Sequence, residues 1–535
     1  MPKYANGFEI NNHPSCHVQG AVTVSGFQLL NCTTRLLESY SPGTEFVALS
    51  YVWGQNSPKQ DHQEAEHGAS NLPQTIEDAL EVTKHIGYNY IWIDRYCIPK
   101  SSSLKHDQIA SMDAIYKGSV VTITAACGSG SGSGLTGVSR NRRIAQSRVD
   151  VGGLDLVSAL TSPVTEVGKS TWIRRGWTYQ EGLLSRRRLF FTESQIYFEC
   201  CGNSCMETVA EPKELMQAQN YDKNLEQTYG DNRLIMSSRH RVFSSADSSF
   251  NPWSIQFRIA EYTQRTLTFD SDRLDAFLGI FRVFRIPKSK CPISHVWGVP
   301  VLWSNPRWTT TEGFATGLCW TLPFRHYIPP RCLEFPSWSW AGWKTSISPD
   351  AYYYRYGFKM PYEIDFTFEL TDGTLMPWDT YQSEYQSELQ SDRFLAPALS
   401  RYLHVDGWSL EALLIANPSV TEHSGPSTLH RWELVIENVM GTTKIPATIH
   451  KAYSEEGWER KADILIIGNP ETPVSPQWTS YSKEPPCSPF LIVLEDMGSH
   501  HERIGYAGLL NVHEKPGTDL SLCLKGRQRR RFRLG

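Results

Sequence analysis

The chain has 535 residues, 40% of them apolar and 12% aromatic, and 52 basic against 56 acidic residues leave a net charge of −4. That length exceeds what one hydrophobic core supports, so two or three domains are expected, and the apolar content excludes general disorder. A charge so near balance excludes a global pull toward nucleic acid or an anionic membrane.

The opening MPKYANGFEINNHPSC lacks the apolar core of a signal peptide, and no run approaches the roughly 18 apolar residues of a membrane span. Twelve cysteines are too dilute for a disulfide scaffold, so a reducing, cytoplasmic location is expected. FVALSYVWG (46–54) is an apolar run ending in aromatics and Gly, the pattern of a buried strand. In LPQTIEDALEVTKHIGY, Ile76, Ala79, Leu80 and Thr83 recur at helical spacing, with Pro73 suited to the start and Gly87 to the stop. YIWIDRYCI (90–98) reads as a second strand that ends at Asp94. Leu104 to Tyr116 reads as one helix closed by Gly118, and SVVTITAAC (119–127) as a third strand. Nearly all-apolar strands alternating with helices predict a parallel α/β sheet.

GSGSGSGL follows the third strand. Its spacing is not that of a dinucleotide-binding loop, so a flexible loop is expected there. A short helix over about 176–184 then precedes a hairpin, LFFT against QIYFEC, turned at Glu193-Ser194. Residues 206–250 are polar. Helices are expected at 254–267 and 272–284, and the stretch to SWSWAGW is rich in Trp and Pro. FTFEL, RWELVIENV, ADILIIG and PFLIVLED read as strands of a β-rich C-terminal domain, and the basic tail RQRRRFRLG as a solvated end. Cys200, Cys201 and Cys205 lack the paired spacing of a zinc site, so no metal is expected.

ALSYVWG, LPQTIEDALEVTKHIGYNYIWIDRYCI, QIASMDAIYKGSVVTITAACG and RRGWTYQEGLLSRRRLFF, in that order, resemble the heterokaryon-incompatibility (HET) domain of filamentous fungi. DRLDAFLGI and PSWSWAGW are similar to stretches that commonly follow it. The resemblance implies a role in non-self recognition and incompatibility-triggered cell death, an innate-immunity-like signalling, with self-association or another incompatibility protein as partner. HET domains are in turn similar to TIR domains, which implies a TIR/flavodoxin-like parallel sheet. The expected organisation is an N-terminal extension (1–40), a HET domain (41–205), a helical Trp-rich region (206–345) and a β-rich domain (346–535).

Some TIR domains hydrolyse NAD+ with a glutamate four residues after a tryptophan, and Trp177 and Glu181 have that spacing. The resemblance therefore implies Glu181 as a catalytic carboxylate, NAD+ as substrate rather than cofactor, and a dinucleotide ligand. In an open α/β sheet the cleft lies beyond the strand C-termini. Tyr51 or Trp53 there can stack on a base, Asp94 can line the cleft, and Arg95 or Arg175 can meet a phosphate. The other reading is structural. Trp177, Gln180, Glu181 and Leu184 share one helix face, and Arg174, Arg175 or Arg187 can clamp a buried Glu181 in a non-catalytic scaffold. Two departures from the family pattern, Pro99-Lys100 after Ile98 and Thr178 after the tryptophan, leave an inactive copy open.

Overall fold

The apolar runs become strands of one sheet in a computed structural model of the chain, which describes residues 22–54, 71–99, 102–138, 143, 146–200, 204–207, 241–243, 254–284, 293–302, 309–322, 329–349, 363–388, 398–422, 429–438, 441–451, 459–468, 489–508, 524 and 526–535. Two compact units form, one from 1–250, 265–268 and 275–283, the other from 251–264, 269–274 and 284–535.

In the first unit the order is β1 (Gln28–Asn31), β2 (Leu37–Ser39), β3 (Val47–Ser50), α1 (Gln74–His85), β4 (Tyr90–Ile93), α2 (Asp94–Cys97), α3 (Ser102–Ala110), α4 (Met112–Gly118) and β5 (Val121–Ala125). Next come β6 (Arg148–Val151), β7 (Leu154–Val157), α5 (Pro163–Lys169), α6 (Gly176–Leu184), β8 (Arg187–Phe191), β9 (Ile196–Cys200) and β10 (Ser204–Met206). The eight-stranded sheet runs β10-β9-β8-β5-β3-β4-β1-β2. Its centre is parallel, because β3 pairs in parallel with β4 and β5, and β5 with β8. Val47, Ala48, Leu49, Ile91, Trp92, Ile93 and Ile123 are fully buried there, as strands covered on both faces must be.

Several expectations change. Residues assigned to an N-terminal extension supply β1 and β2 to this sheet. The single helix over 104–116 is two, broken at Ser111, whose N–H bonds only one turn back to the Gln108 carbonyl at 3.0 Å. The glycine-rich loop is pinned rather than free. Ser131 accepts from the Thr75 N–H at 2.9 Å, Leu135 N–H donates to Asp78 at 2.7 Å, and Gly128 N–H donates to Glu193 at 2.8 Å. The loop thereby covers the start of α1, whose Asp78 carboxylate it satisfies. The first of the two middle helices, α7 (Ser254–Tyr262), is shorter than expected, while α8 (Asp272–Phe284) keeps its bounds.

The second unit opens with α7 and continues with β11 (Ser294–Val296), β12 (Val299–Val301), α9 (Thr310–Gly317), β13 (Trp320–Thr321) and β14 (Ser348–Pro349). Then follow β15 (Ile364–Leu370), β16 (Leu375–Pro377), α10 (Trp378–Glu388), β17 (Leu399–Glu422), β18 (Leu429–Asn438), β19 (Gly441–Ile449), β20 (Glu459–Ile467), β21 (Phe490–Asp496), β22 (His501–Gly508) and β23 (Gln528–Leu534). The region expected to be helical thus carries short strands as well. β17, β18, β19, β22, β21 and β20 pair in a closed ring, because β20 pairs back onto β17. Leu410, Leu414, Leu434, Ile436, Ile464, Ile466, Leu491 and Val493 fill its interior at every second residue, so the ring is packed by its own side chains.

The basic tail is not a solvated end. It is β23, paired antiparallel with β17, and its cations are matched across strands: Arg529 to Asp406 at 2.6 Å, Arg530 to Asp463 at 2.5 Å, and Arg533 to Glu369 at 2.7 Å. Its alternation of Arg with Phe532 and Leu534, both buried, is a strand pattern masked by charge.

His450 follows β19 with its ring 5.0 Å from Trp343 and 5.8 Å from Tyr506. Neither ring nitrogen has a hydrogen-bond partner among the described residues. Burial first, and the Arg503 charge second, hold its pKa well below the ordinary 6.5. An unfolded chain therefore takes a proton below pH 6.5 that the folded chain refuses, and stability falls as pH drops. His450 alone should cost about 1 kcal/mol in urea denaturation between pH 6.5 and 5.5, read as the difference in pH dependence between the wild type and His450→Phe.

Candidate functional site

Helix α6 is buried on nearly every side: Gly176 and Thr178 through Leu184 are all enclosed. Its glycines permit this, since a Cβ at Gly182 would strike Phe243 and Trp172 and one at Gly176 would strike Leu267. Polar groups on such a helix need partners. Thr178 donates to the Trp172 carbonyl at 2.6 Å, and Gln180 accepts from the Gly279 N–H of α8 at 2.9 Å. Glu181, 5% exposed, accepts a short hydrogen bond from the Ser50 hydroxyl. Ser50, the last residue of β3, accepts in turn from the Trp172 indole N–H at 2.7 Å.

Glu181 thus sits at the C-terminal tip of a central parallel strand. Tyr116 brings its hydroxyl from α4 to the Leu49 carbonyl at 3.3 Å and also to the Glu181 carboxylate. Asp94 stands at the tip of the neighbouring β4, where it opens α2. Its carboxylate accepts from the Trp53 indole N–H at 3.2 Å and from the Arg95 N–H at 2.7 Å. The Arg95 guanidinium lies 5.4 Å from the Trp53 ring. Arg175 donates to the Tyr51 carbonyl at 3.5 Å, and its charge reaches both Asp94 and Glu181.

These surroundings make both acids reluctant to ionise. Burial first, then the Asp94 charge, raises Glu181 to about 7, against the stabilising pull of Ser50, Arg175 and Tyr116. Burial raises Asp94 to about 6, opposed by its hydrogen bonds and by Arg175 and Arg95. Two carboxyls poised near neutrality beside one arginine can hold a proton, deliver it, or set a negative charge against a developing cation.

Between the ordinary 4.5 and about 7, folded Glu181 keeps a proton that the unfolded chain has released. Stability from this group is therefore complete at low pH and is lost as pH rises through 7. Chemical denaturation at pH 5 and pH 8 should differ in this sense by about 2–3 kcal/mol from Glu181 alone, and Glu181→Gln should flatten the difference.

Within the arginine run, Arg188 serves a different acid. Arg188 pairs at 2.9 Å with Glu199, its cross-strand neighbour on β9, both nearly inaccessible to solvent. It also donates to the Gly182 and Ser185 carbonyls at 2.8 and 2.7 Å, capping the end of α6. Arg187 donates to the Val120 carbonyl at 3.3 Å.

Of the residues singled out by sequence, Tyr51, Asp94, Arg175 and Glu181 come together at the strand tips. Trp53, 40% exposed, and Arg95 form the rim beside Asp94. Trp177 is partly buried and packs against the core of the sheet. Pro99 directly follows α2 and Ile98; Lys100 and Cys201 lie outside the described residues. Ser50, Tyr116 and Trp172 were not singled out. A hydroxyl closing an otherwise apolar strand, at Ser50, was the available signal. Among the described residues no group of three or more His, Cys, Asp or Glu side chains gathers in metal-binding geometry.

Residues 46–181 match the family model described as heterokaryon incompatibility protein (HET). The resemblance drawn from the four sequence blocks therefore holds over this stretch, which starts just before β3 and ends on Glu181. No curated protein and no solved structure matches the chain, and no helix among the described residues is long and apolar enough to cross a membrane.

Proposed function

We propose that the first unit is the effector of a fungal incompatibility protein and acts by hydrolysing the nicotinamide–ribose bond of NAD+, with Glu181 as the essential carboxylate. One observation carries this reading: Glu181 is held by Ser50 at the tip of a central parallel strand, within electrostatic reach of Asp94, while Arg188 of the nearby arginine run is committed to Glu199. The order β4-β3-β5-β8 of the parallel strands supports it, because β3 leads on to β4 while β5 leads on to β8 on the opposite side, and ligands favour the switch point between two such strands.

In this mechanism the bond electrons leave with nicotinamide, whose ring nitrogen becomes neutral, and the ribose carbon gains oxocarbenium character. Ionised Glu181 stabilises that charge. Water adds to the carbon and its proton passes to the carboxylate pair. Arg175 offers a cation for the diphosphate, and Trp53 an aromatic face for a base. TIR-like ancestry of the sheet belongs to this proposal. The test is nicotinamide release by purified, clustered protein, wild type beside Glu181→Gln; no release by the wild type, or equal release by both, defeats it.

A second reading, a non-catalytic self-associating module with cytoplasmic partners, is favoured by the near-complete burial of Glu181. It predicts no nicotinamide release under any degree of clustering.

A further inference from the structure

Among the described residues the hairpin of β6 and β7 pairs only with itself, and all eight of its strand residues are exposed. Its turn is tight, with Gly152 and Gly153 both at positive φ (63° and 84°), which fixes a two-residue connection and hence the register. Val149 faces Leu156 and Val151 faces Leu154, so one face is wholly apolar, at 52–68% exposure. The other face carries Arg148, Asp150, Asp155 and Val157. An isolated two-stranded hairpin is marginal in water, and a free strand edge beside an apolar face is a template for another strand.

The charges say which strand. Asp150 lies directly opposite Asp155 and accepts from the Gly153 N–H at 3.1 Å, while Arg148 pairs with Asp155 at 3.2 Å, so among the described residues Asp150 has no cation across the ladder. A second copy of this chain supplies one. If β6 pairs antiparallel with β6 of a second copy about a two-fold axis at Val149, Arg148 of each copy stands opposite Asp150 of the other. The apolar faces then coincide. Moving the axis to Asp150 sets aspartate against aspartate, and any odd register puts Val149 on the charged face. Pairing through β7 instead sets Asp155 against Val157 or against itself.

We infer that β6 is an isologous self-association edge, joining two copies into a four-stranded sheet held by two symmetric Arg148–Asp150 pairs. The inference does not depend on the carboxylate site.

Sedimentation velocity of the full chain over a concentration series tests it. The wild type is expected to dimerise. Arg148→Asp and Asp150→Arg, each exposed and outside any core, should each weaken the dimer about tenfold, because two pairs per dimer are reversed. The double swap should restore it. A chain monomeric at every concentration, or a dimer indifferent to the single reversals, overturns the inference. Glu181→Gln should leave the association constant unchanged, which separates failure here from failure of the hydrolase reading.

Discussion

Glu181→Gln is expected to lower nicotinamide release by about 10²–10⁴-fold, the range associated with losing a positioned proton-transfer group or a transition-state charge partner. Glutamine keeps the shape and can still accept from the Ser50 hydroxyl, so the helix and strand tip stay where they are. It cannot present a negative charge to an oxocarbenium centre or accept water's proton. Folding is not the casualty: above pH 7 a neutral amide in this enclosed position is easier to bury than a carboxylate, so the variant should be at least as resistant to urea there as the wild type. Reduced turnover with undiminished stability is the signature sought. Reduced turnover together with early unfolding would instead assign Glu181 a structural role.

Arg188→Leu is expected to cost about 3–5 kcal/mol of stability. The change strands Glu199, whose carboxylate also accepts from Tyr197 at 3.0 Å and from the Val242 N–H at 2.8 Å. It also uncovers the Gly182 and Ser185 carbonyls at the end of α6. Removing both charges, Arg188→Leu with Glu199→Leu, should recover part of the loss, because desolvation of the pair nearly cancels its attraction. Thermal unfolding reads this as a drop of about 10 °C for the single variant and a smaller one for the double. Equal stability of wild type and single variant would mean that the arginine run has another anchor.

These two variants separate the readings that RRGWTYQEGLLSRRR leaves open. An acid followed within seven residues by three arginines invites a local ion pair, and helical spacing alone permits it. The fold sends Arg187 and Arg188 onto β8, directly beside β9, and the glutamate toward β3. Which acid each cation meets is a matter of strand pairing, which local pattern does not encode.

The parallel centre was legible, because strands buried on both faces must be apolar throughout, and VALS, YIWI and VTITA are nearly so. The helix over 176–184 was legible as well. β1 and β2 were not, since short edge strands such as LES carry no alternation long enough to read. The β6–β7 hairpin was equally hidden, although the Gly152-Gly153 turn between alternating apolar residues was a usable signal. Closure of the ring by β17 and β20 depends on residues about fifty apart in sequence, as Leu410 against Ile464 shows, and no local pattern reports it. The tail misled because arginine counts as polar, whereas its stem packs along a sheet while its head meets an acid. At the site, Glu181 and Asp94 stood out as charged residues in apolar surroundings. Ser50, Tyr116 and Trp172 did not, since a small hydroxyl and two aromatics look like ordinary core until their polar atoms are seen converging.

Glu181 and Asp94, two carboxyls at adjacent strand tips, should titrate as neighbours. The most direct measurement of this is the ionisation of Glu181 followed by carboxyl carbon NMR in protein labelled at glutamate, with Glu181→Gln identifying the resonance. A midpoint near 7 is expected, moving down when Asp94→Asn removes the neighbouring charge. A midpoint near the ordinary 4.5, unmoved by that substitution, would contradict it.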